Sequence, residues 1–334
     1  MKLALLFGGR GAERTASLFS ARTVLPRLLA LGHEVLPIGV TPSGSLVRYT
    51  GTPDALDEDF CEGSAPLSLV FEHGTLYFKE GETRHRPELV FSVLHGLDGE
   101  DGAWQGALTL GRIPFVGASV TASAIAMNKR ITKELAAARG IPTVPYLSVR
   151  RYDAALPTRL SSTLTYPLFV KPATGGSSVG VTRVTAEEAL EDAVTLALSY
   201  SEEVLIEEAV AGTEIEVAVL ERDGVLLLSP PGEIRVTDGF YDYTTKYQSK
   251  TAEIRLPASL SLWETAYVKQ LAASVFRMLG CRDLARVDFL RRADGKIFFN
   301  EINTLPGFTE DSLFPRLFAL IGVDAVTFLT EGRL

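Results

Sequence analysis

A five-residue apolar run, Leu3–Phe7, ends in Gly8-Gly9 and leads into a long amphipathic stretch, Glu13 to Ala30, which Gly32 stops. A buried strand feeding a helix through a glycine turn is half of a strand–helix–strand unit, and the pattern recurs. Glu34–Val40 and Leu89–Leu94 read as further strands, Ala103–Leu110 as a helix and Ile113–Val116 as a short strand. Such alternation predicts a parallel sheet covered on both faces, with ligands collecting at the carboxyl ends of its strands. The segments after Phe7 and after Leu94 are two such ends.

Near Ser119 the pattern changes. Two short helices closed by Gly140-Ile141-Pro142 lead to strand Pro167–Lys171, a Gly/Ser-rich turn, strand Val179–Val184 and helix Ala186–Tyr200. From Glu203 strands dominate: Val204–Glu207, Glu214–Leu220, Val225–Ser229, Ala285–Arg291 and Lys296–Ile302, interrupted by a helix over Leu262–Leu279. A chain of 334 residues exceeds one compact core. The expected division is an α/β domain over 1–118, a small α/β unit over 119–202 and an α+β domain over 203–334. Between 236 and 253 a polar stretch with Tyr241, Tyr243 and Tyr247 reads either as a surface loop or as a lid.

The formal net charge of -8 argues against nucleic acid or an anionic membrane as the main partner. No apolar run approaches a membrane span, and Leu3–Phe7 is too short for the apolar core of a secretion signal. Cys61 and Cys281 lack metal-type spacing and read as two reduced thiols, with a disulfide as the alternative, which points to the cytoplasm. Any anionic ligand must therefore be met by a few placed cations.

The segment from Arg286 to Asn303 carries the strongest local geometry. Asp294-Gly295 between alternating apolar runs predicts a hairpin with a two-residue turn. That turn sets Asp288 opposite Glu301 and Arg286 opposite Asn303, with all four side chains on one face. Opposed carboxylates repel, and a hard divalent cation relieves the repulsion. Asp, Glu and Asn oxygens suit Mg²⁺, but a solvated polar face is the competing explanation.

Lys171 ends an apolar strand and is followed by Gly175-Gly176-Ser177-Ser178-Val179-Gly180. This is either a flexible cradle for phosphate or plain turn chemistry; it is not a Walker A loop. Gly8-Gly9-Arg10-Gly11 does not match a dinucleotide fingerprint, which removes a nicotinamide dehydrogenase from consideration. Glu13 either stabilises the start of its helix or receives an ammonium group. His95, at a strand's carboxyl end, is either a turn histidine or a functional one.

Six collinear blocks then resemble the D-alanine–D-alanine ligase family of the ATP-grasp superfamily. They are Gly8-Gly9 with Ala12-Glu13-Arg14 and Ser17, and Leu94-His95-Gly96 with Gly99-Glu100-Asp101-Gly102. Ala122-Ser123-Ala124 with Met127-Asn128-Lys129 follows, then Val170-Lys171-Pro172 with Gly176-Ser177-Ser178. The last two are Phe240-Tyr241-Asp242-Tyr243 with Lys246-Tyr247, and Asn300-Glu301-Ile302-Asn303 with Pro306-Gly307. The resemblance spans essentially the whole chain.

It implies an N-terminal parallel-sheet α/β domain and a two-part ATP-grasp fold holding ATP between its parts. It implies Lys129, Lys171 and Lys246 on the phosphates, Glu207, Glu208 and Val210 at adenine, and Glu214 at the ribose. Asp288, Glu301 and Asn303 match the family's ligands for two Mg²⁺ ions, with Mn²⁺ as a substitute. Glu13 would hold the first D-alanine's ammonium, with His95 near its carboxylate. Arg286 and the Gly307 N–H would form an oxyanion hole, and Ser312 and the Leu313 N–H would bind the second carboxylate. Ser177, Tyr247 and Glu13 would be hydrogen-bonded and close a loop over the site. The resemblance further implies D-alanine as both substrates, Tyr247 accompanying dipeptide formation, and a homodimer. A D-lactate-accepting relative and a catalytically silent nucleotide-binding module are the competing readings.

Overall fold

The computed structural model describes residues 1–236 and 252–332. Nearly all of the expected lid, with Lys246 and Tyr247, lies outside the described residues.

Seven strands form the first sheet, β1 (Lys2–Gly8), β2 (Glu34–Val40), β3 (Leu46–Arg48), β4 (Ala65–Glu72), β5 (Thr75–Glu80), β6 (Thr83–His85) and β7 (Leu89–Ser92). Their order is β6-β5-β4-β3-β2-β1-β7. Only β1, β2 and β7 run parallel; β3 to β6 extend the sheet antiparallel. The parallel strands are legible in sequence because both faces are covered and the residues are almost all apolar. β4 and β5 are partly exposed and carry mixed residues, so their pattern is weak. The expected strand at Ile113–Val116 reduces to one bridge, Val90 with Phe115. Helix α1 (Arg14–Ala30) packs Leu18, Val24, Leu25 and Leu28 on one face, and α2 (Ala103–Leu110) buries Leu108 on the other.

Helices α3 (Val120–Met127) and α4 (Lys129–Ala138) lead to an antiparallel sheet of β8 (Tyr146–Val149), β9 (Leu168–Pro172), β10 (Thr182–Val184) and β11 (Val204–Glu208), in the order β10-β9-β11-β8. The helices α5 (Leu156–Ser161) and α6 (Leu190–Leu198) cover it. β11, which the sequence pattern assigns to the third segment, pairs here with β9. The strand expected from Val179 starts only at Thr182, because Ser177, Ser178 and Gly180 have φ of 51°, 58° and 72°. Left-handed residues cannot extend a strand.

The third sheet contains β12 (Gly212–Arg222), β13 (Val225–Leu228), β14 (Gly232–Val236), β15 (Ala252–Arg255), β16 (Leu284–Arg292) and β17 (Ile297–Asn303). Long helix α7 (Leu262–Met278) begins with a capping box, Ser261 with Glu264, and packs with α3 and α4 residues against Ile215, Val217, Phe289 and Phe299. The opposite face shares one core with the first sheet, through Ala218 and Leu220, Phe7 and Leu25, and α8 (Leu313–Ala319) and α9 (Ala325–Thr330). Gly117 strengthens the junction: its N–H donates to Asp283 at 2.8 Å and its carbonyl accepts from Arg282 at 2.9 Å.

The β16–β17 hairpin pairs Asp288 with Glu301 and Arg286 with Asn303, as the sequence predicts, but by another route. The expected two-residue turn is wrong. Arg292 N–H bonds the Lys296 carbonyl at 2.8 Å, closing a three-residue loop, Ala293-Asp294-Gly295, with Gly295 at φ 85°. That shifts the register by one residue, so Phe289 faces Phe299. A bulge at Asn300 shifts it back. The bulge also breaks the two-residue alternation: Phe299 and Ile302, three apart, both enter the core, and Asn300 and Glu301 both line the cleft beside it.

Phe299 is fully buried, edge-on to Phe289 with centroids 6.2 Å apart. Phe299→Ala should lower unfolding free energy by roughly 3–5 kcal/mol in urea titration. A loss under about 1 kcal/mol would show that this strand is not anchored as described.

Candidate active site

A cleft of ≈ 530 Å³ between the second and third sheets is lined by Lys129, Lys171, Ser177, Glu207, Glu208, Val210, Glu214 and Glu301, among others. Lys129 is the first residue of α4, capped by Asn128, whose side chain accepts the Ile131 N–H. A cation at a helix N-terminus works against the helix dipole. Lys129 is compensated by the Gly175 carbonyl at 2.6 Å and Glu301 at 3.3 Å. Lys171, at the end of β9, lies 2.6 Å from Glu207 and donates to Asn300 at 3.4 Å.

One turn beyond Lys129, Lys133 is fully buried, its Nζ 2.9 Å from Glu207 Oε1 in an ion pair without hydrogen-bond alignment. Burial pushes the Glu207 carboxyl up, but Lys133 and Lys171 together outweigh it and hold it below the usual range. Burial likewise pushes the Lys133 ammonium down, opposed by Glu207. The back of the cleft therefore holds an ionised carboxylate between two lysines.

Ser177 and Ser178 are consecutive left-handed residues, which costs of order 1 kcal/mol each and turns backbone N–H groups in a way suited to anions. The Ser177 hydroxyl donates to Glu13 Oε1 at 2.5 Å, joining this loop to the first domain. Glu13 makes no side-chain bond to its own helix start, so capping is not its role. Its carboxylate lies against Gly96, where a Cβ would fall 2.0 Å from Oε2 and push the Glu13 side chain aside, and the φ of 66° at Gly96 favours glycine.

Asp288 is fully buried. Arg286 grips both its oxygens at 2.8 and 2.7 Å, and the Asn303 amide donates to Oδ2 at 2.9 Å. Arg286 also lies 3.1 Å from Glu216. Burial opposes its charge, but Asp288 and Glu216 more than offset this and hold the guanidinium well above its ordinary value. Oxygens of Glu214, Glu216 and Asp288 fall within 4.8 Å of one another, a group that shares only Asp288 with the expected set of Asp288, Glu301 and Asn303. These hard oxygen donors fit Mg²⁺, and the cations already beside Asp288 and Glu301 mark where positive charge is needed.

A second cavity, ≈ 890 Å³, contains Glu13, His95, Glu100, Ser177, Arg286, Glu301, Asn303, Gly307, Ser312 and Leu313. It shares Ser177 and Glu301 with the first. His95 is buried with both ring nitrogens engaged: Nδ1 is 2.9 Å from the Leu305 carbonyl and Nε2 3.0 Å from Ser20. A carbonyl only accepts, so Nδ1 carries the proton. Burial pushes the imidazole pKa down against the pull of Glu13 and keeps it neutral. A Cβ on Gly307 would meet Ser312 Oγ at 2.6 Å, and that Oγ accepts the Thr309 N–H at 3.0 Å. Leu313 opens α8, while Asp311 is exposed at the cavity's rim. The carboxylate of Glu100 accepts the Gly96 and Leu305 N–H groups at 2.9 and 3.0 Å.

Three residues here, Glu216, Lys133 and Ser20, escape sequence reasoning, and Glu100 enters it only as part of a motif, without a role. Glu216 had a signal, sharing a strand face with Glu214. So did Lys133, four positions after Lys129. Ser20 and Glu100 had none as partners of Leu305 and Phe308, because those contacts join distant segments.

An α/β domain beside two sheets that enclose a lysine-lined cleft, with acidic side chains on its floor, is the architecture of an ATP-grasp ligase. Residues 2–118 match the family described as D-ala D-ala ligase N-terminus, and residues 135–331 the family D-ala D-ala ligase C-terminus. The chain is 40% identical to the D-alanine–D-alanine ligase of Mycobacterium leprae, over 98% of this chain and 92% of the relative. Identity to the Mycobacterium tuberculosis H37Rv enzyme of that name is 41%, over 98% and 93%. Among solved structures it resembles VanG D-Ala:D-Ser ligase from Enterococcus faecalis, with TM-score 0.89, 35% identity and coverage of 98% and 97%. It also resembles the D-alanine–D-alanine ligase of Coxiella burnetii, with TM-score 0.86, 31% identity and coverage of 98% and 91%. The chain belongs to the D-alanine–D-alanine ligase family.

Burial, and then the charge of Glu13, push the Glu100 carboxyl from 4.5 up to about 8. The folded state therefore holds this proton more tightly than the unfolded chain does. Its contribution to stability is complete below pH 4.5 and is lost as pH rises to about 8. Glu100→Gln should flatten the fall in melting temperature across that window; parallel profiles for variant and wild type would contradict the assignment.

Proposed function

We propose that the chain joins two D-alanine molecules into D-alanyl-D-alanine, releasing ADP and phosphate through D-alanyl phosphate, for peptidoglycan precursor synthesis. What supports this reading most is the meeting of the two cavities at Ser177 and Glu301. A phosphate-bearing ligand in the first and an amino acid in the second would then react across that junction.

In the nucleotide cleft, Glu207, Glu208 and the Val210 backbone face adenine, Glu214 holds the ribose, and Lys129, Lys171 and Lys246 meet the phosphates. Asp288, Glu301 and Asn303 would hold two Mg²⁺ ions, replaceable by Mn²⁺, which supply neutralising charge at the transferring phosphoryl group. Glu13 receives the first D-alanine's ammonium and His95 lies near that substrate's carboxylate. Ser177, bonded to Glu13, keeps the loop closed so that water is excluded from the acyl phosphate, and Tyr247, outside the described residues, is assigned to the same closure. The second D-alanine is oriented by Ser312 and the Leu313 N–H, at a helix start where a carboxylate is favoured. Arg286 and the Gly307 N–H stabilise the oxyanion formed when its amine attacks. Among the described residues no helix is long and apolar enough to cross a membrane. We assign the chain to the cytoplasm, as a homodimer.

ADP release measured with and without D-alanine tests the reaction, and D-serine and D-lactate offered as acceptors test its selectivity. ATP binding with no ADP released in response to D-alanine would favour a silent nucleotide-binding module. Glu301→Gln should cut turnover roughly 10²–10³-fold while changing folding stability by less than about 1 kcal/mol. A melting shift with activity retained would contradict the metal assignment. Tyr247→Phe should relax acceptor choice towards D-lactate, and unchanged selectivity would remove that residue from specificity.

A further inference from the structure

Leu305-Pro306-Gly307-Phe308 carries the N–H assigned above to the oxyanion, yet it belongs to no helix or strand. A donor that acts in a transition state must be held to a fraction of an ångström. The N-terminal domain supplies the restraint. Glu100 accepts the Leu305 N–H at 3.0 Å, and His95 donates to the Leu305 carbonyl at 2.9 Å. Ser20 accepts the Phe308 N–H at 3.1 Å and, 3.0 Å from His95 Nε2, uses its single proton to hold the ring. The three backbone bonds bracket Gly307 on both sides. Ser20 is fully buried, and the Phe308 ring is wedged between Phe91 and Phe314 with centroids 5.6 and 5.4 Å away. The other oxygen of Glu100 accepts the Gly96 N–H at 2.9 Å, so one carboxyl group restrains both this loop and the turn on which Glu13 rests.

We infer that Ser20 and Glu100 are positioning residues for the second half of the reaction: through His95 and the backbone of Leu305 and Phe308, they fix the Gly307 N–H where the acyl phosphate is attacked. This rests on the ligase reading above. In that step the amine nitrogen bonds to the acyl carbon and the carbonyl oxygen gains the negative charge. The carbon–oxygen bond to phosphate then breaks, and phosphate departs with the electron pair and takes the amine's proton. A displaced Gly307 slows this step while leaving phosphoryl transfer from ATP intact. D-Alanyl phosphate then persists, and water hydrolyses a share of it.

The test compares wild type, Ser20→Ala and Glu100→Gln in the full chain with Mg²⁺, ATP and D-alanine, measuring dipeptide, phosphate and KM for ATP. Dipeptide kcat should fall roughly 10- to 100-fold, with KM for ATP nearly unchanged and phosphate released in excess of dipeptide. If Ser20→Ala fails to fold, Glu100→Gln, which keeps the shape but leaves one acceptor oxygen for the two N–H groups of Gly96 and Leu305, decides alone. Variants that keep wild-type rates and one phosphate per dipeptide would overturn the inference, as would variants that lose ATP binding, since that marks a merely structural role. A wild type that releases no phosphate in response to D-alanine would overturn the ligase reading and this inference with it.

Discussion

Asp288 and Glu301 face each other across one hairpin, and a fold tolerates opposed carboxylates only where positive charge is supplied. Arg286 supplies it to Asp288 and Lys129 to Glu301. Each of those cations is itself fixed by its surroundings: Arg286 by Glu216, Lys129 by the Gly175 carbonyl. The charges thus form a chain running from the acidic floor, through α4, to the Gly/Ser loop. Ser177 carries it on to Glu13 and the first domain. Chemistry between a nucleotide and an amino acid requires both cavities to be in register, and these contacts tie them together.

Much of this was legible in the sequence where local rules act. β1, β2 and β7 announce themselves as apolar runs, and the expected helix over Leu262–Leu279 corresponds to α7. The pairing of Asp288 with Glu301 also follows from local rules, but two departures cancel in it. The turn is one residue longer than a two-residue turn, and the bulge at Asn300 removes the difference. An Asp-Gly pair does not distinguish a two-residue loop from a three-residue loop with glycine in the left-handed position. A bulge leaves no mark in a period-two pattern except the presence of Phe299 and Ile302 three apart in the same core.

What stayed hidden was tertiary. Neither Ser20 nor Glu100 has a local pattern that reveals a partner some two hundred or more residues away, at Leu305 or Phe308. The antiparallel strands β3 to β6 form one side of the sheet, and where β4 and β5 are partly exposed mixed residues are tolerated and the alternation fades. β11 reads with the third segment by its position in the chain, whereas its hydrogen bonds belong to the second sheet. In each case geometry set by distant packing decided between choices that propensity leaves equal.

A crystal structure grown with Mg²⁺ and ADP is the most direct test of the charge arrangement on which the site depends. Electron density for metal should appear against oxygens of Asp288, Glu301 and Asn303, with nucleotide phosphates completing the coordination and Lys129 turned from Glu301 towards a phosphate. Density that places the ions elsewhere, with Arg286 and Lys129 still neutralising the two carboxylates, would contradict it.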